Sequence, residues 1–211
     1  NSEGELKKNP LKFLQEEKVL AKIQSIELES TIDFTQNYNF NQLSTIANKE
    51  DLGKKELDLI ATDPHRNAQI IEKIKEHFLL NNSILVFACS KDHCVILQRI
   101  LKSEEIESVV ILGETNKYIR GQSIKDFKNN KLKVIINFGV LSTGFDAPNL
   151  NTLLIARPTK SVVLYSQMVG RALRGPRNGG NEENTLITIK DNLVGFPDPD
   201  FMFSYWEEFW N

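Results

Sequence analysis

An α/β fold, a mostly parallel sheet with helices on both faces, is what this sequence predicts, and three observations predict it. Five short runs rich in Val, Ile and Leu recur along the chain: SILVFAC (83–89), SVVILG (108–113), KVIINF (133–138), TLLIAR (152–157) and TLITI (185–189). Strands that read as continuous apolar runs, without polar alternation, are the kind covered on both faces. Helical patterns lie between them, and strand–helix alternation at these lengths implies a mostly parallel sheet with helices on both faces. Finally, 211 residues with 40% hydrophobic content can bury one good core with an appendage.

Taken in order, residues 1–62 read as a connector or small subdomain. NPLKFLQEEKVLAKIQSIELES suggests a short helix and then an alternating strand, and LSTIANKEDLGKKELDLIA suggests one or two further helices. The α/β core spans 63–190. It opens at Asp63-Pro64, an N-cap followed by a proline in the first helical position, and Ile71, Ile74 and Phe78 give that helix an apolar face. Cys94, Leu97 and Leu101 repeat the spacing, as do Val162, Tyr165 and Val169. Residues 191–211 end in DPDFMFSYWEEFW, with six aromatics between 201 and 210. Asp198-Pro199 starts an aromatic C-terminal helix there, which either docks on its own domain or meets the rest of a larger chain.

Composition narrows the function. A formal net charge of −2 leaves any nucleic-acid binding to local patches. No stretch approaches the ~20 apolar residues of a membrane span, and no signal-peptide pattern opens the chain, so a cytosolic protein is expected. Cys89 and Cys94, the two cysteines, flank His93 in ACSKDHC. A strand-end cysteine followed by one on the apolar face of a helix accounts for them better than zinc, which wants four ligands.

Ligands of such sheets bind beyond the carboxyl ends of the strands, and three segments there carry chemistry. KVIINF empties into GVLSTGFDAPNL, where Asp146 could accept from ribose hydroxyls and Gly144 lets a backbone approach. Ordinary turn chemistry explains the same residues. In FACSKDH, Ser90 caps a helix whose free N–H groups, with Lys91, could take a phosphate, or it is simply a good cap. ETNKYIRGQSIKDFKNNKLK carries a solvated lysine face, with Arg120 close enough to the strand end to track phosphates. The segment SQMVGRALRG is the most informative. Read as one helix at about 100° per residue, it brings Gln167, Arg171 and Arg174 within roughly 60°, with Gly170 beside them. Glycine inside a helix costs ~1 kcal/mol relative to alanine, so a close approach is implied, and arginine's planar fork suits phosphate oxygens.

In this order, CSKDH, IRGQSIKDFKNNKLKVIIN, VLSTGFDAPNLNTLLIARPTKS and YSQMVGRALRG resemble the second RecA-like lobe of superfamily 2 helicases and translocases over residues 64–190. Ser83–His93, Val140–Pro148 and Gln167–Arg174 are similar to that family's motifs IV, V and VI. GFDAP with RPTKS resembles the DEAD/DEAH-related branch that includes restriction-enzyme motor subunits. The resemblance implies a motor lobe whose Arg171 and Arg174 reach the γ-phosphate of ATP, with Gln167 positioning phosphates or water. It also implies Gly144, Asp146 and Gly170 near the nucleotide, and Ser90, Lys91, Arg120 and Asn137 near the nucleic-acid backbone, DNA ahead of RNA. ATP and Mg2+ would be held mainly by a first lobe, because neither a G-x-x-x-x-G-K-[ST] loop nor an Asp-Glu pair after an apolar strand occurs here. The fragment alone is then expected to be inactive. A RecA-like module that only binds nucleic acid or protein is the competing expectation.

Overall fold

The computed structural model describes residues 10–49, 51–140, 147–191 and 193. Helix α1 (Pro10–Glu16) leads into strand β1 (Lys22–Glu29); a 3-10 turn at Phe34–Gln36 and helices α2 (Phe40–Ala47), α3 (Lys54–Thr62) and α4 (Pro64–Leu79) follow. Then come β2 (Ile84–Phe87), α5 (Lys91–Ser103), β3 (Ser108–Ile111), α6 (Lys117–Lys128), β4 (Val134–Asn137), β5 (Thr152–Ile155), α7 (Val162–Val169) and β6 (Glu183–Lys190). The six strands form one sheet in the order β1-β6-β5-β2-β4-β3, and every pairing is parallel.

The apolar runs become strands because both their faces are covered. Residues of β2, β4 and β5 are all buried, and the period of two sends neighbours to opposite sides. Val86, Ile136, Leu154 and Ile187 meet Ile70, Ile74, Cys94 and Leu97 of α4 and α5. Leu85, Ile135, Leu153 and Leu186 meet Phe127 of α6 and Tyr165, Met168 and Val169 of α7. A third cluster, including Phe34, Ile46, Leu57, Ile60, Ala61 and Leu193, joins α2 and α3 to the carboxyl edge of the sheet.

Helix starts follow the caps in the sequence. Asp63 accepts from Arg66 N at 2.7 Å, ahead of Pro64, and Ser90 accepts from His93 N at 3.1 Å. Asn39 and Gln42 form a reciprocal capping box. Two expectations change. The segment set apart as a connector supplies β1, which pairs with β6 over eight residues, from Lys22↔Glu183 to Glu29↔Lys190. Its alternation reflects an edge strand that sends Ile23 to one core cluster and Ile26 and Leu28 to the other. The aromatic C-terminal helix predicted after Asp198 lies outside the described residues.

Candidate nucleotide and nucleic-acid site

The second change concerns the arginine segment. It is not one helix: α7 ends at Val169, with Gly170 as its C-cap at φ −55°, ψ −18°. A Cβ on Gly170 would lie 3.0 Å from the Ser166 carbonyl oxygen, so the glycine serves this tight exit from the helix. Beyond it the chain turns to bury Ala172 completely, and Arg174 forms an antiparallel bridge with Leu20. Burial of Ala172 and pairing with the N-terminal segment outweigh continuation of the helix. The expected core face does hold, with Tyr165 and Val169 buried and Val162 against the same cluster.

Backbone bonds fix the turn on both sides. Arg171 N donates to Met168 O at 3.0 Å and Ala172 N to Val169 O at 2.8 Å, while Ala21 N donates to Leu173 O at 3.0 Å and Gly175 N to Val19 O at 3.1 Å. Asn184 Nδ2 donates to Ala172 O at 2.5 Å from within β6. Two glycines permit this close approach. A Cβ on Gly175 would fall 2.6 Å from the Lys18 carbonyl oxygen, and one on Gly180 2.0 Å from that of Arg174. Gln167, Arg171 and Arg174, all partly exposed, therefore project from or beside a constrained backbone. The Gly175-Pro176 and Gly179-Gly180 pairs in the sequence are the signal that could have revealed the turn.

At the carboxyl end of β2, Ser90 spends its hydroxyl on the cap, and Lys91 forms an ion pair with Glu114 at 2.7 Å across the β3–α6 loop. That hydrogen bond from Lys91 holds the Glu114 carboxyl below its ordinary range. Arg120 Nη2 donates to the carbonyls of Leu112 at 2.7 Å and Gly113 at 3.1 Å, tying α6 to the end of β3. Asn137 departs from the expected surface contact. It is fully buried, with Nδ2 donating to Val86 O at 2.9 Å, because it is the last residue of a strand covered on both sides. Gly139, at φ 66°, opens the loop after β4 in the left-handed region, where glycine is at ease. Gly144 and Asp146, further along that loop, lie outside the described residues.

Sequence spacing gives no hint of a polar network beneath this edge. Arg66, 1% exposed, donates through Nε and Nη2 to the two carboxylate oxygens of Asp191, both at 2.7 Å. Nη2 also reaches Ala156 O at 2.5 Å, at the end of β5. Cys89 Sγ donates to that same carbonyl at 3.0 Å, and burial pushes its thiol up to about 11. His93 Nδ1 accepts from Cys89 N at 3.1 Å, so its proton sits on Nε2, which faces Asn67 Oδ1 at 2.9 Å. Burial first, and then the Arg66 charge, pull the imidazole down to about 3. The ring is thus a neutral strut under the Ser90–Lys91 turn. On the adjoining edge, Arg157 lies 5.4 Å over the Phe138 ring and donates to Asp51 at 3.1 Å, locking the α2–α3 loop to the end of β5.

The family model of the helicase conserved C-terminal domain matches residues 65–176, from the start of α4 to the end of the arginine turn. The chain belongs to that family. This helicase domain is 32% identical over 200 residues to the transcript termination protein A18 of fowlpox virus, covering 89% of the chain and 41% of that protein. It is 26% identical over 138 residues to the ATP-dependent RNA helicase DBP3 of Saccharomyces cerevisiae, covering 63% of the chain and 26% of that protein. It therefore spans less than half the length of these relatives. Among solved structures, T4 UvsW superposes with a TM-score of 0.56 at 22% identity over 81% of the chain and 32% of UvsW. S. cerevisiae Dbp5 bound to RNA and ADP BeF3 gives 0.52 at 20% identity over 69% of the chain and 37% of Dbp5. At these identities the likeness is one of fold: an all-parallel RecA-like sheet flanked by helices.

Proposed function

We propose that this domain is the C-terminal motor lobe of an ATP-dependent, cytosolic nucleic-acid helicase or translocase, and that Arg171 and Arg174 act on ATP held by a first lobe. One observation carries the reading: the turn bearing both arginines is fastened to β6 by Asn184 and to the N-terminal segment by Ala21 and Val19. A guanidinium on a fixed backbone loses little freedom when it meets a phosphate, and its fork matches phosphate oxygens. Facing the cleft, the two arginines neutralise charge that develops as the γ-phosphoryl group transfers, and Gln167, one turn earlier, orients phosphates or water. ATP binding supplies the transferable phosphoryl group, and magnesium is assigned to the first lobe.

Nucleic acid lies along the carboxyl edge, against Lys91, the N-terminus of α5 and the β3–α6 loop. Contacts there are to phosphates, so binding is salt-sensitive and largely indifferent to sequence. With Asn137 turned inward and Arg120 engaged with its own strand, Lys91 is the leading cation. Both nucleic acids occur among the fold relatives: Dbp5 is bound to RNA and the DUF1998 helicase MrfA to DNA. The resemblance of the GFDAP and RPTKS segments to the restriction-motor branch supports DNA as the partner.

The test is steady-state ATP hydrolysis by the full-length protein at saturating nucleic acid. Arg171→Ala or Arg174→Ala lowers kcat at least ~100-fold, within the range known for arginines of phosphoryl transfer, and lysine at either position does not restore it. Nucleic-acid affinity without nucleotide stays near normal. Near-normal turnover in both alanine variants would put the turn on a different ligand.

A further inference from the structure

Helix α6 leaves the carboxyl edge of the sheet with an apolar first turn turned to solvent. Tyr118 is 80% exposed and Ile119 55% exposed, although the helix buries Ser123 and Phe127 and is tied to the end of β3 by Arg120. A single exposed ring needs no explanation, but Gly121 does. Glycine inside a helix is less favourable than alanine. Here a Cβ would meet no atom within 4 Å, and Gly121 sits within a regular helix, so neither packing nor backbone conformation calls for the missing side chain. Tyr118, Gly121 and Lys125, spaced three and then four residues apart, fall on one side of α6, and all three are exposed. Together they make a shelf: a ring, a patch of bare backbone, and a cation about 10 Å further along the helix.

Charge selects what the shelf holds. From Lys117 to Lys133 the sequence carries six basic residues and one acidic residue, Asp126, in a chain of net charge −2. Asp126 accepts from Gln122 Nε2 through both oxygens at 3.0 Å, and Glu114, ahead of the helix, is paired with Lys91. A cationic surface beside an exposed aromatic ring suits a single strand, whose phosphates meet the cations while a base stacks on the ring. We propose that this shelf binds single-stranded nucleic acid, with one base stacked on Tyr118 and the adjoining phosphate crossing Gly121 toward Lys125. The proposal rests on the nucleic-acid reading of the neighbouring edge and adds to it the state of the strand. In a duplex the faces of the bases are stacked on one another and closed to the ring.

Fluorescence anisotropy tests this with the full-length protein, without nucleotide, on labelled oligothymidylate, oligouridylate and a blunt DNA duplex. Tyr118→Ala weakens single-strand binding at least about fivefold, on whichever sugar the protein prefers, and leaves duplex binding unchanged; Tyr118→Trp restores it. Lys125→Gln reduces the slope of log K against log salt on a single strand by about 0.7, whereas Tyr118→Ala leaves the slope alone, because stacking releases no counterion. Gly121→Gln, at a position where the fold has room for a side chain, also weakens the single strand while circular dichroism stays native. Leu79→Ser, 82% exposed at the end of α4, changes none of these. Wild-type protein that binds nucleic acid, with an affinity that Tyr118→Ala does not alter, overturns the shelf, gives the exposed ring to a protein partner and leaves the nucleic-acid reading standing. Equal losses on duplex and single strand overturn it as well. Wild-type protein that binds none of the three probes overturns both readings.

Discussion

Removing the carboxylate of Asp191 isolates a charge that the fold has sealed away. In Asp191→Ala, Arg66 keeps Ala156 O and a long contact to Cys89 Sγ at 3.9 Å, but loses two hydrogen bonds at 2.7 Å to an ionised partner. Bonds to charged groups contribute about 1.5–3 kcal/mol each, and breaking a buried pair from one side costs about 3–5 kcal/mol. The two estimates agree, so a loss of about 3–5 kcal/mol is expected, or about 6–20 °C in Tm for a domain of this size. Urea unfolding followed by circular dichroism measures it. The double variant Arg66→Met/Asp191→Leu recovers much of the loss, because it leaves no buried charge unpaired. Glu182→Gln, at the exposed pair with Lys18, leaves the midpoint in place. A loss below about 1 kcal/mol in Asp191→Ala, or a double variant as unstable as the sum of its singles, would refute the argument that the pair is a desolvated couple.

Two further outcomes follow from the same edge of the sheet. His93 is pulled down to about 3 in the fold, below its unfolded value of about 6.5. The unfolded chain therefore takes up the proton first as pH falls, and stability is lost below about 6.5. Between pH 7 and pH 5 the loss is about 2 kcal/mol; His93→Gln flattens urea midpoints over that window except for a residual slope from His77, also lowered by burial. Gly175→Ala sets a methyl 2.6 Å from the Lys18 carbonyl and destabilises by about 1–3 kcal/mol, read as a lowered Tm; an unchanged Tm would mean that the segments are not in contact.

The strands and most helices were legible because each signal was local. Apolar runs at 84–87, 134–137 and 152–155 need only two covered faces, and Asp63-Pro64 and Ser90 cap helices through bonds three residues away. What escaped depended on distance along the chain. Arg66 and Asp191 are 125 residues apart, and no periodicity links them. The 3.6-residue pattern through SQMVGRALRG failed for a related reason: helical spacing continued past Val169, but a pairing with Leu20, more than 150 residues earlier in the chain, decided the backbone. Asn137 was misplaced because a polar residue at a strand end reads as exposed, whereas here it bonds sideways to the neighbouring strand at Val86. The order of segments from β4 to the arginine turn was legible as a set that the helicase family model also covers, and Gly144 and Asp146 lie outside the described residues.

The parallel seam of β1 against β6 has a mechanical consequence. Tension entering through the chain ahead of α1 runs first into Lys18–Ala21, whose bonds to Leu173, Gly175 and Arg177 hold the arginine turn. It then runs into eight paired residues of β1 aligned with the pull. In that geometry the seam is loaded in shear, many bonds at once, while the turn lies upstream of it and takes the strain before the sheet does. Displacement of α1 thus reaches the turn that carries Arg171 and Arg174 through those bonds as well as the β1–β6 seam.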